Sequence, residues 1–251
     1  AVWVIFLLER GFSLAQVGIA EGIYHVTSMV FEVPSGMAAD LFGRKRTILL
    51  SGALGICSAV FMTLDGFIGF VYCGMIFSAL SLNMASGTQE ALVYDSLLEA
   101  GCEERYKKVW ANFSMIARVS SAFSCAFSPI LIGYRYTYYI MAGLYLFTIL
   151  CVSGVKEPQV TQKQRTRGDH LKRELGRRWR QHIRETGVFI KKNPGTMCKL
   201  LANAALACPC YLIMMYLQEH LVDCGWPKSL IGIPMLMIPL AGAVGTRIAA
   251  G

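Results

Sequence analysis

From Gly66 to Gln89 the chain runs through 24 residues without one charged side chain, and from Tyr136 to Val155 it does so again for 20. A helix rises 1.5 Å per residue, so about 20 such residues match the roughly 30 Å hydrocarbon core of a bilayer. Strands of a soluble sheet are much shorter. Fully buried helices of a soluble protein are the competing reading. Against it, eight apolar runs recur in 251 residues, only 16% of which are charged, where a soluble domain carries about 25%. The runs fall at about 1–9 (short at its start), 14–38, 47–64, 67–94, 109–132, 136–155, 198–218 and 229–250. Ser13-Leu14-Ala15-Gln16 reads as a capping box that opens the second span. Asp65-Gly66 reads as a tight reversal, and Pro194 and Pro227 each stand shortly before a span, where a missing N–H costs little.

The net charge of +8 would suit a nucleic-acid binder if it were spread over a surface. It is not spread. Lys156 to Lys199 holds 13 basic and 4 acidic residues, a net of +9, and the other 207 residues sum to −1. Counting basic residues in the loops gives 19 on one side, including Arg44, Lys45, Arg46, Arg105, Lys107 and Lys108. The other side has three: Arg10, Arg135 and Lys228. Basic loops stay on the cytoplasmic side, so the loops after spans 2, 4 and 6 are expected there, in a multi-pass protein of the cell membrane. Within the insert, Leu171, Leu175, Trp179 and Ile183 recur every four residues among arginines. That pattern fits a basic amphipathic helix lying on an anionic leaflet.

Gly11-Phe12-Ser13-Leu14-Ala15-Gln16-Val17-Gly18-Ile19 leads into the second span, and Gly225-Trp226-Pro227-Lys228-Ser229-Leu230-Ile231-Gly232-Ile233 into the eighth. The offset is 214 residues. A common turn sequence explains a match this short, and so does a chain built of two parallel six-helix repeats. On the second reading, residues 1–155 form a first half with a clipped first helix, 156–197 a basic linker, and 198–251 the start of a second half. The sequence is then expected to be an internal fragment covering helices 1 to 8 of 12.

After the second span comes Gly36-Met37-Ala38-Ala39-Asp40-Leu41-Phe42-Gly43-Arg44-Lys45-Arg46. This resembles the signature loop of the major facilitator superfamily, G-x-x-x-D-[RK]-x-G-R-[RK]-[RK], departing from it at Leu41. The resemblance implies an all-α transmembrane major facilitator fold, with the second repeat cut after its second helix. It also implies that Gly36, Asp40, Gly43, Arg44, Lys45 and Arg46 form a cytoplasmic latch between halves; a plain positive-inside anchor is the simpler alternative. Ser86-Gly87-Thr88-Gln89-Glu90-Ala91-Leu92-Val93-Tyr94-Asp95-Ser96-Leu97 is similar to a stretch of bacterial facilitators labelled efflux transporters. The arginine that many proton-coupled members carry in this helix is absent. Ser128-Pro129-Ile130-Leu131-Ile132-Gly133 is similar to a degraded antiporter signature, keeping Pro129 and Gly133 as a helix-5 kink.

Ionisable residues inside a span are costly and mark candidate pathways. Glu21, His25 and Glu32 share one face of span 2 with Ser28. His25 can change charge near neutral pH, or it can belong to an interhelical hydrogen-bond seam. Arg118 in span 5 and Glu32 lie at similar depths, roughly 12–13 Å from the basic end, and Glu90 is shallower. A pairing of Arg118 with Glu32 or Glu90 is therefore expected. Gln218 is a further cavity or outer-gate candidate. Tyr134, Tyr136, Tyr138 and Tyr139 suit an interfacial belt.

Nothing here points to an enzyme: there is no H-E-x-x-H and no Walker loop, no catalytic set and no metal site. Nine cysteines with no paired spacing give no disulfide framework. The expectation is a secondary transporter of small solutes working by alternating access, with efflux of amphipathic compounds favoured. A non-transporting membrane sensor and uptake of a small nutrient are the alternatives. No cofactor is expected beyond an ion gradient, protons first. The expected partners are the lipid bilayer and a small-molecule substrate, with no nucleic acid, for a monomer.

Overall fold

A computed structural model describes residues 3–131, 134–157, 184–185, 187–227, 233–234 and 237. Its helices are α1 (Trp3–Glu9), α2 (Leu14–Phe42), α3 (Arg44–Thr63), α4 (Ile68–Ala85), α5 (Thr88–Glu99), α6 (Tyr106–Leu131), α7 (Tyr134–Ser153) and α8 (Pro194–Asp223). No strand occurs among the described residues. Four stretches of them are long and apolar enough to cross a membrane: Arg44–Thr63, Ile68–Glu99, Arg135–Ser153 and Pro194–Leu217. The eighth expected span and the amphipathic pattern from Leu171 to Ile183 lie almost wholly outside the described residues, as does Gly133.

The helix ends follow local chemistry. Ser13 caps α2 in a full capping box: its hydroxyl accepts from Gln16 N, and the Gln16 side chain accepts from Ser13 N at 2.9 Å. Pro194 opens α8, where its missing N–H leaves no intrahelical bond unmade. Gly66 turns the chain at φ +91°. After α1, Phe12 N donates to Leu7 O and Gly11 N to Leu8 O, with Gly11 at φ +83°. After α8, Trp226 N donates to Leu221 O and Gly225 N to Val222 O, with Gly225 at φ +85°. The two ends, 214 residues apart, thus stop on the same left-handed glycine cap. Gly101 ends α5 in the same way, so the cap is shared local chemistry and does not itself mark a repeat.

Two expected spans, 14–38 and 109–132, form helices α2 and α6 without being among those four stretches, and the fourth span differs in shape. The run 67–94 reads as a single helix, but the structure breaks it at Ser86-Gly87 into α4 and α5.

Helix α3 packs between α4 and α7, and α2 lies on α4. Small residues let these helices approach. A Cβ added to Gly55 would stand 2.5 Å from Tyr145 Cζ, and one on Gly52 would stand 2.7 Å from Ile149 Cγ1. Between α3 and α4, Ser51 Oγ donates to Ser81 O while Ser81 Oγ donates to Ser51 O, each at 2.8 Å. Ser58 Oγ donates to Gly74 O at 2.8 Å. In lipid no hydrophobic force separates helix from solvent, so close packing and such bonds hold helices together. The apolar core joins Phe6 and Leu7 of α1, Val17 of α2, Met62 of α3, Val71 of α4 and Met215 of α8. Tyr138 packs on Phe6 with ring centroids 5.3 Å apart, so it belongs to this core instead of the expected interfacial belt; Tyr136 and Tyr139 are exposed.

Candidate functional site

The charged face of α2 divides between two neighbours. Glu21 and His25, one turn apart, meet α8. The Glu21 carboxylate accepts from the Tyr211 hydroxyl and stands 3.2 Å from His25 Nε2. The Tyr211 and His25 rings meet edge-on at 5.5 Å. One turn back, a Cβ on Gly18 would lie 3.3 Å from the Tyr216 hydroxyl. Glu21 is the inner member, its side chain 11% exposed against 56% for His25. By helical rise Glu21 lies about 10 Å along α2, His25 about 16 Å along it, and Tyr211 about 18 Å from the end of α8. All three therefore sit well inside their helices, away from the ends. Further along the same face, Ser28 and Asn83 of α4 bond reciprocally: Ser28 Oγ to Asn83 Oδ1 at 2.8 Å, and Asn83 Nδ2 to Ser28 O at 2.7 Å. Glu32 is exposed beyond them.

The basic loop sits at the opposite end of the bundle from Asp65. Gly43, at φ +92°, ends α2 and begins α3 at once. Arg44 Nε lies 3.6 Å from Asp95 Oδ2 of α5, with both side chains largely shielded. Lys45 Nζ donates to Ser153 O, on the last residue of α7, at 2.6 Å, and Lys45 N donates to Glu157 at 3.4 Å. A cation at a helix C-terminus is favoured by the helix dipole. Arg46 and Gly36 are exposed. The Asp40 side chain lies outside the described residues. Among these contacts, Arg44 reaches α5, and Lys45 reaches the end of α7 and the residues after it.

Glu90, in the first turn of α5, accepts from the Tyr106 hydroxyl at 2.6 Å. That hydrogen bond raises the Tyr106 pKa, because losing the proton would set two anions side by side. The side chains of Arg118, Pro129 and Gln218 lie outside the described residues, and with them the expected pairing of Arg118. At the other end, Asp65 binds both Arg10 and Arg135. Arg10 also donates to the carbonyls of Met62, at 2.8 Å, and Leu64, and its guanidinium stands over the Phe6 and Phe12 rings. Burial lowers the Arg10 pKa, and Asp65 opposes that shift.

Sequence reasoning missed Tyr211, Tyr216, Asn83 and Glu157. Each is a polar group in or beside an apolar run, and that was the signal available for the first three.

These interlocked helices, with a glycine-hinged basic loop, carry the pattern of one family along their whole length. The Major Facilitator Superfamily model matches residues 1–251. The chain belongs to the major facilitator superfamily. Its relatives are bacterial. One is the uncharacterized MFS-type transporter YxaM of Bacillus subtilis, 22% identical over 239 residues, covering 92% of this chain and 56% of that protein. Another is the inner membrane transport protein YajR of Escherichia coli, 27% identical over 146 residues, covering 58% of this chain and 30% of that protein. The chain thus spans about half the length, or less, of these curated relatives. No solved structure gave a significant match.

Proposed function

We propose that this facilitator chain forms part of a secondary transporter that moves small solutes by alternating access, with the Glu21–His25–Tyr211 cluster as its proton-responsive site. The observation that carries the reading is a nearly buried carboxylate on α2 bonded to Tyr211 of α8; on the two-repeat reading these helices belong to different halves. As an anion Glu21 accepts from both Tyr211 and His25. Both contacts fall on the same oxygen, Oε1, so a proton on Oε2 removes the charge they are made to and weakens both at once. Such a change at the seam between two rocking halves couples protonation to their motion. Arg44, Lys45 and their partners would brace the cytoplasmic end of the first half, and Asp40 would serve the latch between halves. Efflux of amphipathic compounds across the plasma membrane is the direction favoured, by a monomer with its basic loops in the cytoplasm.

The test is flux in proteoliposomes holding the full-length protein, with a panel of amphipathic solutes and an imposed pH gradient. Flux should follow the gradient, and Glu21→Gln should reduce it at least about tenfold. Equal flux in wild type and Glu21→Gln would remove the cluster from the mechanism. Solute binding without flux would favour a sensor, and flux only inward would favour uptake.

A further inference from the structure

A second site lies away from the α2–α8 seam. Between α3, the α4–α5 break, α6 and α7 is a cavity of about 500 Å³ near the basic end. Its polar lining is mostly spent. The Ser51 and Ser81 hydroxyls donate to each other's carbonyls, and Thr148 donates to Leu144 O at 2.9 Å. No lysine, arginine or histidine lines it among the described residues. What remains is one charged group, the Glu90 carboxylate, the neutral side chains of Ser86 and Gln89, and a wall of aromatic rings. Tyr106, Trp110 and Phe113 recur along one face of α6. The Trp110 and Phe113 rings stack at 5.2 Å and 20°, and the Tyr106 and Trp110 rings at 6.5 Å and 13°. Trp110, Phe113 and Tyr145 line the cavity with Glu90. Tyr106 holds one oxygen of that carboxylate, which sets the side chain against the aromatic wall.

Aromatic faces attract cations within about 6 Å of the ring centroid, most strongly where water is excluded. A carboxylate beside apolar surface selects for charge as well as for bulk. We infer that this cavity binds a lipophilic organic monocation, with Glu90 as counter-ion and Trp110 and Phe113 as the aromatic wall. A cavity of about 500 Å³ is within the range of small-molecule sites. The volume suits a cation bearing several rings better than an inorganic ion. The site needs no part of the Glu21 cluster. Only its use in transport rests on the function proposed above.

The experiment is equilibrium binding of radiolabelled tetraphenylphosphonium to the full-length protein in detergent, with triphenylphosphine oxide as the neutral competitor. Saturable binding is expected. Glu90→Gln and Trp110→Ala should each weaken it by about tenfold. Trp110→Phe should keep most of it, and the neutral compound should not displace the cation. Size-exclusion elution matching wild type shows that each variant is folded, and the conservative Trp110→Phe stands in if Trp110→Ala is not. Unchanged affinity in Glu90→Gln overturns the inference, and is also what an internal ion pair filling the cavity would give. Lack of saturable binding, or equal displacement by the neutral compound, overturns it too. Glu21→Gln separates the two ideas. Binding that persists there while wild type shows no flux refutes the transporter and leaves this site. Flux without Glu90-dependent binding does the reverse.

Discussion

Three glycines on α3 and α7 make a graded test of how tightly these helices must approach. Carbon atoms in contact settle at about 3.5–4.0 Å. A Cβ on Gly55 would meet the Tyr145 ring at 2.5 Å, Cε1 and Cε2 at 2.6 Å, about an ångström too close. Three ring atoms crowd the glycine at once, so the whole ring must shift, into the cavity it borders, to make room. Overpacking of this kind costs about 1–3 kcal/mol. Replacing a mid-helix glycine by alanine returns about 0.5–1 kcal/mol. Taking about 2–3 kcal/mol, the upper part of that range, for so close an approach, Gly55→Ala should destabilise the protein by about 1–2.5 kcal/mol net. Gly52→Ala meets only the flexible end of Ile149, with Cγ1 at 2.7 Å and Cδ1 at 3.1 Å, so its cost should be smaller. Gly143, on α7, has nothing within 4 Å of its added Cβ. Gly143→Ala should be neutral or stabilising by up to about 1 kcal/mol. The assay is reversible unfolding of the full-length protein in mixed micelles, followed by intrinsic fluorescence. If Gly55→Ala and Gly143→Ala agree within about 0.5 kcal/mol, the close approach of α3 and α7 is not what holds them.

Asp40→Asn should cut transport while leaving membrane insertion intact; flux equal to wild type would remove the latch. Tyr211→Phe removes one bond to Glu21 and should cost about 0.6–1.7 kcal/mol in the same unfolding assay. It should also shift the pH dependence of flux, and an unshifted profile would show that the hydroxyl is not part of the coupling. Arg10→Ala deprives Asp65 and two carbonyls of one shared donor, and should destabilise by about 1–3 kcal/mol. A melting temperature equal to wild type would show that Arg135 alone suffices.

What the sequence made legible was local. Ser13 with Gln16, Pro194 and Gly66 each act within one turn of their own position, so reading the neighbours was enough. The long apolar runs declared helices for a similar reason. The basic loop was legible as a motif, yet its partners Asp95, Ser153 and Glu157 were not, because no periodicity links Lys45 to a residue 112 positions away. Tyr211 was passed over among apolar neighbours, although a hydroxyl in a span needs an acceptor and Glu21 was already suspected. The break at Ser86-Gly87 was missed because neither residue is a proline and the apolar run continues through it.

Gly43 is the whole connection between α2 and α3. Two long rods that share one residue have only that residue's torsions to turn about, and at φ +92° other residues are strained there. The joint is as short as a joint can be. With no loop between the two helices, any change in the angle they make falls on the torsions at Gly43 and is felt first by Arg44, the next residue, and its contact with Asp95.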